Sequence, residues 1–182
     1  MGNTYVFRLG HRFGRDKRIS THLALVARAW GARAVIFDVA DDRVKNSVYK
    51  ICDNWGYGPK GNFEFIFEKN WRKFVKNFEG ISVHLTMYGL PLSEVREKIK
   101  KLATTKNILV IVGGQKVPGE MYGLVDYNVG VGNQPHSEVG ALAVFLNSLN
   151  EDALKNEEWA CKENKGKIMV FPQEKGKKVV ER

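Results

Sequence analysis

The chain has 182 residues, of which 43% are hydrophobic and 27% charged. That length and balance suit one domain with a sizeable core and a small appendage. No apolar run approaches the roughly 20 residues of a membrane span, and the start MGNTYVFRLGHR has no apolar stretch of the kind that opens a secretory signal. The Met-Gly-Asn start would suit an N-terminal acyl chain, but residues 4–9 already read as a strand. Two cysteines, Cys52 and Cys161, make better buried small residues or free thiols than a disulfide framework or a zinc site. A cytoplasmic protein is expected. The net charge is +9, and residues 1–33 hold seven Lys or Arg against one acid, Asp16. Such a concentration favours a phosphate-binding face over a merely solubilising one.

In chain order, Tyr5, Phe7 and Leu9 alternate with Val6 and Arg8 as a first strand. An arginine-rich loop follows, and Asp16 or Ser20 can cap a helix carrying Leu23, Val26, Ala27 and Trp30, stopped by Gly31. Ala34 to Phe37 is a second strand. Asp41 or Asp42 caps a helix with Val44, Val48, Ile51 and Trp55 on one face, ended by Gly56. Phe63 to Phe67 forms a third strand, and Asn70 opens a helix with Trp71, Phe74, Val75 and Phe78. Ile81 to Leu85 is the fourth strand, and Ser93 caps the next helix, with Val95, Ile99 and Leu102. Ile108 to Val112 and Tyr127 to Val131 are the fifth and sixth strands. Short apolar strands alternating with helices predict an α/β fold, a parallel sheet with helices on both faces.

The sixth strand runs into the polar turn Gly132-Asn133-Gln134-Pro135-His136-Ser137, and Ser137 is a good N-cap for the helix through Leu149. That helix is apolar almost all round, which predicts burial on more than one side. Glu151 to Trp159 reads as a linker or short helix. Lys167 to Pro172 and Lys177 to Val180, joined through Gly176, read as a β-hairpin that docks on the core or on RNA. The expected division is a main domain over 1–150 and a linker-plus-hairpin extension over 151–182.

Parallel sheets hold ligands at the carboxyl ends of their strands. Three strand ends enter distinctive turns: Leu85-Thr86-Met87-Tyr88-Gly89, Gly113-Gly114-Gln115-Lys116-Val117-Pro118 and Val131-Gly132-Asn133-Gln134-Pro135. Neither a Walker A loop nor a dinucleotide fingerprint is present, because Pro135 stands where the third glycine after Gly130 and Gly132 would be. The segments RLGHR…RDKRISTH, HLTMYG, IVGGQKVP and GNQPHSEVGALAVFL closely resemble the archaeal tRNA (cytidine(56)-2′-O)-methyltransferase family of the SPOUT superfamily, over roughly residues 4 to 149.

The resemblance implies a SPOUT-type fold with a C-terminal trefoil knot, a homodimer, and transfer of a methyl group from S-adenosylmethionine to tRNA at cytidine 56 of the T-loop. It also implies the cofactor contacts: Leu85; Gly113, Gly114, Gln115, Lys116 and Val117; Val131, Gly132, Asn133, Gln134, Pro135, His136 and Ser137. For proton removal from the ribose hydroxyl, the related enzymes point to an N-terminal arginine. Arg18 is the first choice, then Arg12, with His22 the chemically easier base nearer neutrality. His11, like His22, is a chemically easier base nearer neutrality, and Arg12, Arg15 and Arg18 could equally serve as phosphate contacts. No metal is expected, since the methyl leaves an activated sulfonium and the four histidines lack ligand spacing. Two rivals remain: another SPOUT reaction such as base methylation of tRNA or rRNA, and a non-catalytic RNA-binding protein on the same fold.

Overall fold

A computed structural model describes residues 2–59, 61–114, 116–150 and 166–181. Its centre is β1 (Thr4–Leu9), where Val6 and Phe7 both have no exposed surface although they point to opposite faces. On one side it pairs with β2 (Ala34–Phe37), which pairs with β3 (Glu64–Phe67). On the other it pairs with β5 (Ile108–Gly113), then come β4 (Ile81–Pro91) and β6 (Tyr127–Gly130). The order β3-β2-β1-β5-β4-β6 is parallel throughout.

The two faces are covered unequally. Val6, Val35, Val83 and Val110 pack under four helices, α1 (Lys17–Ala29), α2 (Asp42–Trp55), α4 (Leu92–Ala103) and α6 (Glu138–Leu149). Phe7, Ile36, Leu109 and Ile111 face the short helix α3 (Trp71–Lys76) and the single turn α5 (Met121–Leu124). Burial on both sides is why these strands read as continuous apolar runs. The α5 turn escaped the sequence because four residues carry no helical period.

Of the expected caps, Asp41 accepts from Arg43 N at 3.0 Å, Asn70 from Lys73 N at 3.2 Å and Ser137 from Val139 N at 3.2 Å. Asp16 stands at the N-cap of α1 but makes no capping bond, because its carboxylate turns to Arg12. Two boundaries differ from expectation. β4 does not end at Leu85: Leu85 and Leu90 both pair with Val129, so residues 86–89 are an excursion within one strand. At Gly89 a side chain is impossible, since a Cβ would lie 2.4 Å from the Asn128 carbonyl carbon. Ser93 does not cap α4. Pro91 still pairs with Gly130, and the helix begins at Leu92.

Helix α6 buries Ala141, Leu142, Phe145, Leu146 and Leu149, while Gly140 and Val144 are exposed, Val144 by 53%. One side of the expected two is therefore covered within the single chain. The hairpin forms from β7 (Ile168–Phe171) and β8 (Lys178–Glu181), antiparallel. β7 leans on α2, and Gly166 sits so close that a Cβ would lie 2.6 Å from Trp55 C and Gly56 N. β8 is exposed along its length. The linker or short helix expected at 151–159 lies outside the described residues. Among the described residues no helix is long and apolar enough to cross a membrane, and Cys52 is a buried free thiol.

Candidate active site at the strand ends

The carboxyl ends of β5 and β6, with the mid-strand excursion of β4, enclose a cleft of about 340 Å³, within the range of small-molecule sites. Its walls are His84 and Leu85 with the excursion Thr86, Met87 and Tyr88. Val112, Gly113, Gly114 and Val117 follow β5, Tyr122 comes from α5, and Val131, Gly132, Gln134, Pro135 and His136 follow β6. Glu138 and Ala141 of α6 complete it. A larger groove of about 640 Å³ lies beside α3, away from these strand ends.

Backbone contacts shape the cleft. Gly114 N donates to Leu9 O at 2.9 Å, and a Cβ on Gly114 would sit 2.9 Å from Gly10 O, so β5 and β1 can leave the sheet together only with glycine there. Gly132 holds φ +72°. The Asn133 amide donates to Met87 O at 2.8 Å and Gly89 O at 3.0 Å, pinning the β6 turn to the β4 excursion. His136 sets its ring nitrogens against the Val131 and Ser137 carbonyls.

His84 is fully buried, with Nδ1 3.0 Å from Asn128 Oδ1, while the Asn128 amide donates to Tyr122 O at 2.8 Å. Nδ1 therefore carries the proton, and burial holds the ring's pKa below its ordinary value. Its Nε2 is a buried acceptor that no described group satisfies. Beside apolar walls and main-chain groups, that orphan fits a ligand with an amine or hydroxyl to donate, and the Glu138 carboxylate fits a cationic centre. Adenosyl and sulfonium groups have this chemistry.

Beside the cleft stands the loop after β1. Arg8 is 1% exposed and donates to Glu138 Oε1 at 2.9 Å and Gly113 O at 3.1 Å, with Asp16 Oδ2 at 3.9 Å. Arg12 donates to both Asp16 oxygens, from Nη2 at 2.8 Å to Oδ1 and from Nε at 3.1 Å to Oδ2. Hydrogen bonding from Arg12 holds Asp16 below the usual carboxylate range, and the same bond raises Arg12. One buried carboxylate thus joins the basic loop to Arg8, and Arg8 joins it to the cleft. His11 is buried, Nδ1 2.8 Å from Ser20 Oγ and Nε2 3.2 Å from Asp41 Oδ2.

Of the expected cofactor positions, Leu85, Gly113, Gly114, Val117, Val131, Gly132, Gln134, Pro135 and His136 line the cleft. Asn133 and Ser137 do not line it; they hold the turn and cap α6. Lys116 is exposed, and Gln115 lies outside the described residues. Arg12, Arg18 and His22 do not line the cleft of their own chain, and Arg18 and His22 are exposed on α1. Sequence reasoning missed His84, Tyr122 and Glu138 as cleft residues. His84 was legible in HLTMYG, but the Arg8–Glu138 pair spans most of the chain and leaves no local signal. Among the described residues no cluster of three or more His, Cys, Asp or Glu could hold a metal.

A parallel sheet with glycine turns around a strand-end cleft and a basic loop beside it is an arrangement whose fold is shared with solved RNA methyltransferases. A putative RNA methyltransferase of the TrmH family from Porphyromonas gingivalis superposes with TM-score 0.61 at 15% identity, covering 82% of this chain and 60% of that one. An AdoMet-bound rRNA methyltransferase from Sinorhizobium meliloti gives 0.58 at 15% identity, over 82% of this chain and 56% of its own. This chain therefore spans somewhat over half the length of those neighbours.

Sequence narrows the class. A family model described as tRNA ribose 2′-O-methyltransferase, aTrm56, matches residues 55–180. The tRNA (cytidine(56)-2′-O)-methyltransferase of Methanocaldococcus jannaschii is 52% identical over 177 residues, 96% of this chain and 94% of the relative. The chain belongs to the aTrm56 family of tRNA ribose 2′-O-methyltransferases.

Proposed function

We propose that this protein methylates the ribose 2′-hydroxyl of cytidine 56 in tRNA, using S-adenosylmethionine, as a cytoplasmic homodimer with a trefoil knot around the cofactor cleft. The observation that carries the reading is the 52% identity to the Methanocaldococcus jannaschii enzyme along 96% of the chain, which includes every turn around the cleft. Bound there, S-adenosylmethionine would supply a methyl group already activated on sulfonium sulfur. Transfer of that methyl to the 2′-oxygen would leave the hydroxyl proton to be taken up by a base of the protein.

The chain's work is then alignment and proton removal. Gly113, Gly114 and Gly132 would let the backbone approach the cofactor, His84 Nε2 would be free to accept a hydrogen bond from it, and Glu138 would offer negative charge to its cationic centre. Arg18, Arg12 and His22 are the candidates for the base. Arg12 is the weakest of them while Asp16 is bonded to it, because that pairing strengthens its hold on its proton. A second copy of the chain is the simplest way to bring α1 to a cleft that its own α1 candidates do not line, and the open Val144 side of α6 suits such a contact.

The test is incubation with labelled S-adenosylmethionine and unmodified tRNA transcript, with the 2′-O-methyl mapped by resistance to alkaline hydrolysis. A single resistant linkage following residue 56 is expected. Label in a base, or no label with competent tRNA, would overturn the reading.

A further inference from the structure

The loop between β1 and α1 ends in a side chain that methyl transfer does not use. Phe13 is 64% exposed at the tip of a basic segment, with Arg15, Lys17 and Arg18 exposed after it. A phenyl ring left in water forfeits its burial energy, so its position calls for a partner. The ring is nevertheless held. The Arg43 guanidinium carbon lies 4.0 Å from its centroid. Arg43 in turn donates to Asp41 from Nε at 3.1 Å and Nη2 at 3.0 Å. Asp41 meets His11, and His11 meets Ser20, all three of them buried. The Gly10 and His11 amides donate to Asp38 at 2.7 and 3.2 Å. A relay from α1 to α2 thus fixes an aromatic ring on the surface. Gly14 follows with φ +84° and nothing within 4 Å of a Cβ, so the tip stands clear of the fold.

We propose that Phe13 is a stacking platform for an unpaired nucleobase of the RNA substrate, with Arg43 as the cation beneath or beside it. The inference rests on the tRNA reading above and adds the feature recognised: a base free of its pairing partner. Every nucleobase has a π-face, and base–aromatic stacking strengthened by arginine is how proteins grip unpaired nucleotides. The surrounding Arg15 and Lys17 supply the phosphate contacts that such a base needs on its backbone. A base within a helix is stacked on both faces and has none to offer Phe13.

Phe13→Ala, Phe13→Leu and Phe13→Tyr are compared for binding to deacylated tRNA and to a perfectly paired RNA duplex, with thermal unfolding and solution mass measured alongside. Phe13→Ala and Phe13→Leu should each weaken tRNA binding about tenfold to a hundredfold, while duplex binding and the salt slope of tRNA binding stay unchanged. Phe13→Tyr should retain affinity. Wild-type affinity in the leucine variant would overturn stacking in favour of plain apolar contact. A change in solution mass would overturn it in favour of a protein partner. If the wild type binds no tRNA, the functional reading falls; if the wild type binds and Phe13→Ala binds equally, this inference alone falls.

Discussion

The cleft and the arginine loop leave the sheet from neighbouring strands, yet they are built by different means. The cleft is shaped by main chain: glycines at 89, 114 and 132, the Asn133 amide bound to two carbonyls, and apolar walls, with Glu138 the one carboxylate among its lining residues. The loop is shaped by side chains, with Arg12 on Asp16, His11 between Ser20 and Asp41, and Arg43 on Asp41. A site held mainly by main-chain contacts is pre-formed, and those contacts do not titrate. An ionic loop is rigid only while its carboxylates are ionised. The difference suits the two ligands expected, a small cofactor gripped by shape and a large polyanion met by fixed charge. Arg8 belongs to both, since it touches Gly113, Glu138 and Asp16.

The largest effect should come from Arg18→Ala. If Arg18 takes the hydroxyl proton, turnover at saturating tRNA drops about 10²–10⁴-fold, while S-adenosylhomocysteine affinity holds in calorimetry. A rate recovered by excess tRNA would make Arg18 a phosphate contact and pass the role to Arg12 or His22. Near-normal turnover in Arg18→Lys would point the same way.

Next comes the residue that joins the two regions. Arg8→Met removes a buried guanidinium and strands the Gly113 carbonyl and part of the Asp16 charge, so it should cost about 3–5 kcal/mol in urea unfolding. Because the pair reaches the cleft, cofactor affinity should fall too. A loss under 1 kcal/mol would separate the regions and break the comparison.

Gly132→Val tests the main-chain character of the cleft. A β-branched residue at φ +72° strains the turn by about 1–3 kcal/mol, and it should weaken S-adenosylhomocysteine binding while tRNA binding persists. Pro135→Ala should act in the same direction with less strain. Unchanged cofactor affinity in both would remove this turn from the site.

The smallest effect is a pH dependence confined to the loop. Asp41, bonded first to Arg43 and then to His11, is held at about 2 against an ordinary 3.8. A depressed carboxylate stabilises the fold fully above its unfolded pKa, and that stability is lost as pH falls through the folded one. In Arg43→Ala the depression shrinks, so the stability gap to wild type should be widest at pH 5 and above and close between pH 4 and 2. Urea midpoints across that range check it. A gap that stays constant with pH would mean that the Arg43–Asp41 pairing contributes through packing rather than charge.

Much of this molecule was legible from residue order alone. Six strands, five helices, three of the caps and the terminal hairpin follow from periodicity and from Asp, Asn, Ser and Gly at element ends, because those signals act within one turn or one pleat. The glycine turns were legible as turns for the same reason. Which strands lie side by side was not, and that alone makes the site. The order β3-β2-β1-β5-β4-β6 brings residues near 10, 85, 114 and 132 to one rim. It lets Val129 pair with both Leu85 and Leu90, which turned an expected strand end into an excursion. The pairing of Arg8 with Glu138 and the orphan Nε2 of His84 arise only in that packed interior, where a charge must find a partner and an acceptor can be left without one. Local sequence sets which segments turn, cap and coil. Tertiary packing decides which polar groups meet, because burial makes a missing partner costly and that cost is shared between residues far apart in the chain.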